Sequence, residues 1–406
     1  LTSRVDTAPW SSRHLPTALR VGSLVVTATV AAACTAGGDV QGTAESSSPT
    51  DPEGAAASSP FTIAFGGDVM FDGLLHERLD SDPATALGPI ADTLSSADLA
   101  MVNLETAVTG GGRRAPDKEF VFRAPATAFD ALDAAGVDVV SVANNHGMDY
   151  GVDGLRDTLR NAEEADFPVV GAGKNVDEAY APYTTEVNGN SVAIIGATDV
   201  MDEHLVPTWT AGKDQPGLAS AKYEMRERLT AAVRSAAEQA DTVVTFLHWG
   251  LEGSHCPLPH APGLARELID AGADAVVGGH AHVLSPGGYV GNAYVHYGLG
   301  NFVFYNFSGP TAESGVLTLT MQDGAVLNDD WLPARIEGGV PIPYEGGAAD
   351  DARDEWERLR TSCATDLASV PSDLPSDGPS GAAERGGGAS AGPADDHADD
   401  HADPTG

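Results

Sequence analysis

The amino-acid sequence predicts an α/β fold, and three observations carry that expectation. Between Phe61 and about Tyr344, short apolar runs alternate with stretches whose apolar residues recur at helical spacing. The runs are closed by Gly, Asn and Asp, residues that end strands and begin turns. Polar clusters stand directly at the ends of most runs, and parallel strands present their carboxyl ends along one edge, where ligands bind.

Phe61-Thr-Ile-Ala-Phe65 reads as a strand that stops at Gly66-Gly67-Asp68. A helix is expected over Pro89–Ala97, followed by a strand at Leu99–Val102 that ends at Asn103-Leu104-Glu105. Ala124–Ala135 reads as a helix closed by Gly136, and Val137–Val142 as the strand that delivers Asn144-Asn145-His146. Leu155 and Leu159 share one face of a helix expected from Val152 to about Ala165. Short strands follow at Phe167–Val170 and Ser191–Ile195, then a long helix over Tyr223–Ala240. Thr242–Leu247 runs straight into His248-Trp249-Gly250. After a helix at Pro262–Asp270, the strand Ala273–Val277 runs into Gly278-Gly279-His280-Ala281-His282. Late strands are expected near Ala293–Tyr297, Phe302–Tyr305 and Gly315–Thr320, and these are placed to form a second sheet facing the first.

Convergence of these strand ends makes Asp68, Glu105, Asn145, His248, His280 and His282 candidate metal ligands. Carboxylate, amide oxygen and imidazole suit Zn, Mn or Fe, and the lack of thiolate speaks against a structural zinc knot. His280 and His282, two residues apart, are placed to reach neighbouring metals, and Glu105 is a natural bridging carboxylate. His146 is set apart as the catalytic residue, a general acid or phosphate contact whose unperturbed pKa near 6.5 allows proton transfer around neutrality. Asp149 or Glu252 is expected to orient a histidine nitrogen. Tyr297-Gly-Leu-Gly-Asn301-Phe-Val303 reads as structural. Trp249, Tyr305 and Phe307 are candidates either for a cleft or for the core.

With 59 acidic against 22 basic side chains the net charge is -37, which excludes nucleic acid as a partner, since a polyanion needs a basic footprint. Arg13, His14 and Arg20 precede an apolar run over residues 21–33 that is too short for a comfortable membrane span. Ala31-Ala32-Ala33-Cys34 resembles the lipobox of a bacterial lipoprotein signal. The resemblance implies an extracytoplasmic protein held on the cell membrane through a lipid at Cys34. The expected organisation is a signal over 1–34, a flexible tether over 35–60, the metal-binding domain over 61–344, a short helical extension over 345–370 and a disordered acidic tail over 371–406. Whether Cys256 and Cys363 pair stays open.

Together the segments Gly67-Asp68-Val-Met70, Asn103-Leu-Glu-Thr106, Ala143-Asn-Asn-His146 with Asp149, His248-Trp-Gly250 with Glu252, Gly279-His-Ala-His282 and Tyr297-Gly-Leu-Gly-Asn-Phe302 resemble the CapA family of capsule and poly-gamma-glutamate biosynthesis proteins. That family is similar to the calcineurin-like metallophosphoesterases, which implies a four-layer α/β/β/α sandwich with a dinuclear site. By that likeness Asp68 and His282 would serve one metal, Asn145, His248 and His280 the other, and Glu105 would bridge. Met70 stands where the broader pattern has a histidine, so His76, His255 or His260 is a candidate replacement ligand.

The resemblance implies a metal-dependent hydrolase or transferase of cell-envelope polymer metabolism, with one or two divalent ions and metal-activated water attacking a phosphoester or related bond. An anionic envelope polymer or its precursor is the implied partner, along with membrane-embedded biosynthesis proteins. A non-catalytic assembly or export subunit remains the alternative.

Overall fold

The computed structural model describes residues 58–305 and 308–372. In chain order the strands of its two large sheets are β1 (Phe61–Val69), β2 (Leu99–Leu104), β3 (Val139–Ser141), β4 (Val169–Val170), β5 (Tyr183–Val187), β6 (Asn190–Thr198) and β7 (Thr242–Trp249). They continue with β8 (Ala275–His280), β9 (Gly287–Val290), β10 (Ala293–His296), β11 (Asn301–Val303), β12 (Glu313–Gln322), β13 (Ala325–Glu337) and β14 (Val340–Pro343). The longer helices are α1 (Thr127–Ala134), α2 (Gly151–Glu164), α3 (Met225–Ala237), α4 (Ala261–Asp270) and α5 (Gly347–Ser362).

The first sheet runs β14-β13-β12-β1-β2-β3-β4, with β11 lying parallel to the end of β1 so that Asp68 pairs with Asn301. Its β1, β2, β3 and β4 are mutually parallel, while β12, β13 and β14 are antiparallel additions. The second sheet runs β9-β10-β8-β7-β6-β5, parallel through β6, β7, β8 and β10.

Side chains alternate between the two faces of a strand, and the apolar residues follow that period. Ile63, Phe65, Met101 and Val139 of the first sheet meet Ile194, Val244, Phe246 and Val277 of the second in one central core. The intervening Ala64, Ala100, Val102 and Val140 face outward, against Phe129 and Leu132 of α1 and Leu155 of α2. On the far side, Ala193, Ile195, Val243 and Val276 pack against Leu229 and Val233 of α3 and Leu264 and Leu268 of α4. The result is the α/β/β/α sandwich, with each fully buried Phe, Leu or Ile contributing about 1.5–3 kcal/mol.

Several elements depart from the sequence expectation. Residues 89–97 form a single 3₁₀ turn at Gly88–Ile90 and one α-turn at Ala91–Leu94. The longest strand, β13, falls where no strand is expected, because Asn328-Asp329-Asp330 and Pro333 look like turn chemistry. Pairing with β12 from Glu313 to Gln322 overrides that local preference. The extension over 345–370 is a helix, α5, whose Trp356 enters the central core beside Trp331 and Tyr294. A Cys256–Cys363 disulfide closes a separation of 107 residues and ties the end of α5 to the loop after β7.

The expected membrane-held localisation is corrected for the described residues, and the lipoprotein assignment at Cys34 falls outside them. No helix among the described residues is long and apolar enough to cross a membrane. The segment that carried the expectation, residues 1–34 with Cys34, lies outside the described residues, as do most of the tether and the acidic tail beyond 372.

Asp274 sits at the start of β8, where its Oδ2 accepts from Val243 N at 2.8 Å. Burial pushes its pKa up to about 7 against that hydrogen bond. A folded state that holds this proton more tightly than the unfolded chain loses stability as pH rises from about 4 to about 7. Asp274→Asn keeps an acceptor without the charge. It should therefore melt above the parent at pH 8 and match it near pH 4 by differential scanning fluorimetry. Parallel pH dependences for the two proteins would refute this assignment.

Candidate metal centre

Each candidate ligand is carried by the carboxyl end of a parallel strand or the turn just after it. Asp68 is the penultimate residue of β1 and pairs in register with Asn103 of β2, and Glu105 follows one residue after β2. Asn145 and His146 follow β3. His248 lies near the end of β7, and its neighbour Trp249 pairs with His280, the last residue of β8. Sheet packing thus brings the exits of β1, β2 and β3 against those of β7 and β8.

Two overlapping groups of donor atoms result, each within 4.8 Å: Asp68, Glu105 and His248, and Glu105, His280 and His282. Glu105 is common to both, as a bridging carboxylate would be. It is fully buried, yet neither carboxylate oxygen has a hydrogen-bond partner among the described residues, and the same holds for His280 Nδ1. The nearest ion-pair contact of Glu105 Oε1 is His248 Nε2 at 3.4 Å, and a buried carboxylate without hydrogen bonds is costly unless positive charge satisfies it. The donor chemistry fits a hard or borderline divalent ion.

The remaining groups brace these donors. Asp68 Oδ1 accepts from Asn103 Nδ2 at 2.8 Å and Asp68 Oδ2 from His280 N at 3.0 Å. Asn145 Oδ1 lies 2.8 Å from His248 Nε2, and Asn103 Nδ2 lies 3.1 Å from His248 Nδ1. His282 Nδ1 is 2.9 Å from Asn301 Oδ1 and 3.4 Å from Asp68 Oδ2. His280 and His282 adopt φ of 94° and 57°, left-handed conformations that cost about 1–3 kcal/mol each and that cluster at functional sites. Gly279 is required between the strands, since a Cβ there would stand 2.4 Å from Asp68 Oδ1.

Burial would raise the Glu105 pKa, but His282, His248 and His146 together hold the carboxyl well below its usual range. Burial draws His282 down, whereas Glu105 and Asp68 outweigh it and lift that imidazole to about 9. Burial, reinforced by His248 and His282, pushes His280 well below 6.5. The cluster is a concentrated field of anionic and imidazole donors, matched to positive charge at its centre.

His146 stands at the edge of this cluster. Its Nε2 lies 3.9 Å from Glu105 Oε1, and its Nδ1 lies 2.6 Å from Asp149 Oδ2. Phe122 stacks on the ring at 4.2 Å. Phe120, Phe122, Glu252, Phe304 and Tyr305 line a mouth of about 110 Å³ outside His146 and His282.

His248 groups with Asp68, and His280 groups with His282. Met70 is buried against Phe122, Phe304 and Ile336, and its Sδ accepts from Asp72 N. None of His76, His255 and His260 joins either donor group: they face Asp80, Leu284 O and Asp199 respectively. Of the two proposed orienting acids, Asp149 contacts His146, while Glu252 is exposed at the mouth. Trp249 is core, packed on Tyr297, and Tyr305 is at the mouth. Phe307 lies outside the described residues.

Sequence reasoning missed Asn103, Asn144, Asn301, Lys118 and Phe122. Asn144 links the strand exits through Asn103 Oδ1 at 3.0 Å and Leu104 O at 2.9 Å. Asn103 and Asn144 lay inside the segments already singled out, adjacent to stronger donors. No local pattern marked Lys118 or Phe122, which lie in a segment without regular secondary structure.

Fold and donor set define an α/β/β/α sandwich whose strand ends gather carboxylate and imidazole donors compatible with a metal site. Residues 62–306 match the family described as bacterial capsule synthesis protein PGA_cap, and the chain belongs to that family. It is 35% identical over 228 residues to the capsule biosynthesis protein CapA of Bacillus anthracis, a match covering 56% of this chain and about half (54%) of that protein. It is 30% identical over 287 residues to the PGA biosynthesis protein CapA of Bacillus subtilis (strain 168), covering 70% and 74% of the two chains. A solved phosphatase structure from Mycoplasma pneumoniae overlaps loosely, at 12% identity and a TM-score of 0.41, over 72% of this chain and 97% of that one.

Proposed function

We propose that the protein is a metal-dependent hydrolase of capsule-polymer metabolism, in which water attacks a phosphoester or related bond of an anionic polymer or its precursor. The observation that carries this reading is Glu105, buried, with neither oxygen hydrogen-bonded among the described residues, ringed by imidazoles, and shared by two groups of donors. The names of the B. anthracis and B. subtilis relatives support the polymer class.

Asp68, Glu105, Asn145, His248, His280 and His282 would hold one or two divalent ions, with Mn, Zn and Fe suited to these donors. Bound dications would neutralise charge on the phosphoryl oxygens and make water a better nucleophile. The chain's own residues do the rest. Asp149 holds Nδ1 of His146, so Nε2 is the nitrogen presented toward the cluster. A proton on Nε2 passes to the leaving oxygen as its bond to phosphorus breaks, and the attacking water restores it. Phe122, stacked on the ring, keeps water from that side of the imidazole.

Protein loaded with Mn, Zn or Fe should turn over p-nitrophenyl phosphate or its diester. His146→Ala should lower kcat by about 10²–10⁴-fold with metal content unchanged. One observation favours the non-catalytic alternative: Met70 is committed to packing and adds no ligand. No turnover with any of the three metals, together with normal polymer production by a His146→Ala strain, would establish that alternative instead.

A further inference from the structure

We infer that Lys118 is the positioning residue that locks the His146–Asp149 pair, an inference that rests on the hydrolytic reading above. Lys118 belongs to a strap, residues 109–122, that crosses the site between Ala107–Val108 and Arg123–Ala124, which pair with one another. Two backbone bonds bind the strap to the turn after His146: Ala115 N donates to Asp149 O and Arg113 N to Tyr150 O.

From this strap the Lys118 side chain turns inward and is only 7% exposed. Its ammonium donates to Asp149 Oδ1 at 2.5 Å and to the Asn145 carbonyl, and it lies over the Trp209 ring at 5.5 Å. Nζ also lies 3.0 Å from His146 Nδ1. A carboxylate oxygen only accepts, so the 2.6 Å contact with Asp149 Oδ2 places a proton on Nδ1 and directs it to that oxygen. Phe122 N, from the same strap, donates to that oxygen at 2.7 Å. Asp149 is therefore clamped on one oxygen by Lys118, and on the other by Phe122 N and His146.

A carboxylate held in this way has one orientation and keeps Nδ1 of the ring protonated, so Nε2 is the nitrogen that gains and loses the catalytic proton. Both are needed for Nε2 to face the leaving oxygen. The second bond of Lys118, to the Asn145 carbonyl, sets the backbone between the Asn145 ligand and His146. An exposed lysine would be an anion contact for substrate. This one has its donors directed at protein acceptors, and it acts through Asp149.

The test uses the full chain loaded with metal and compares Lys118→Met and Lys118→Arg with the parent. Removing a general acid slows esters with poor leaving groups and spares those with good ones. Lys118→Met should therefore lower kcat for phenyl phosphate by about 10²-fold with little change in KM, and dinitrophenyl phosphate by less than about threefold. Lys118→Arg should recover most of the loss. Combining Lys118→Met with His146→Ala should add nothing to His146→Ala alone.

A damaged metal centre would slow both esters alike and lower metal content, and either result overturns the inference. A second readout does not need turnover. In ¹⁵N-histidine-labelled protein the Nδ1–H of His146 should give a sharp downfield proton signal that broadens in Lys118→Met and returns in Lys118→Arg. If the parent hydrolyses no phosphoester, the proposed function fails while this signal still decides the role of Lys118. A signal unchanged by Lys118→Met refutes that role.

Discussion

Glu105→Gln should remove at least one bound dication per chain and lower phosphoester turnover by ~10³-fold, about 4 kcal/mol of transition-state stabilisation. The side chain keeps its shape, so the effect reports charge and bridging capacity. Glu105 is the member common to both donor groups. An amide there offers one acceptor oxygen and turns an N–H toward the other position, where a cation would be repelled. Losing Asn145 should be milder, because an amide oxygen contributes no formal charge. Metal content by mass spectrometry and steady-state kinetics read the two effects separately. Full metal occupancy with normal turnover in Glu105→Gln would remove the basis for a bridged centre.

The paired replacement Cys256→Ser/Cys363→Ser should cost about 4–5 kcal/mol of stability, the chain-entropy value for a loop of roughly this length. The bond spans 107 residues and joins the loop after β7 to the end of α5. On the usual scaling that lowers the midpoint of thermal unfolding by roughly 10 °C or more. Metal affinity should change far less, since β7 carries His248 between β6 and β8 and that pairing does not depend on the disulfide. A loss of metal equal to that in Glu105→Gln would show instead that the loop helps to build the centre.

These expectations draw on different kinds of information. The strand exits were legible because their signal is local. Phe61-Thr-Ile-Ala-Phe65 before Gly66-Gly67-Asp68, and Ala273-Asp-Ala-Val-Val277 before Gly278-Gly279-His280, each place a chemically able residue where an apolar run must stop. β13 was not legible, because Asp329 and Asp330 oppose a strand until β12 supplies a partner. Asp329 then accepts from Tyr289 and Tyr294 across the sheets, which no local window reveals. Met70 gave a correct warning as a departure from the histidine pattern, but its packing under Phe122 and Phe304 depends on residues far along the chain.

The sequence alone determined the α/β class and singled out Asp68, Glu105, Asn145, His248, His280 and His282 as candidate donors, with His146 set apart from them. Alternation, turn chemistry and side-chain type are properties of short segments. Only the tertiary structure decided that Glu105 is common to both donor groups, that Lys118 and Asp149 clamp His146, and that Cys256 meets Cys363. The reason is physical. Such contacts join segments tens to hundreds of residues apart, and they form because two sheets bury a common apolar core, which brings the strand ends together irrespective of their distance along the chain.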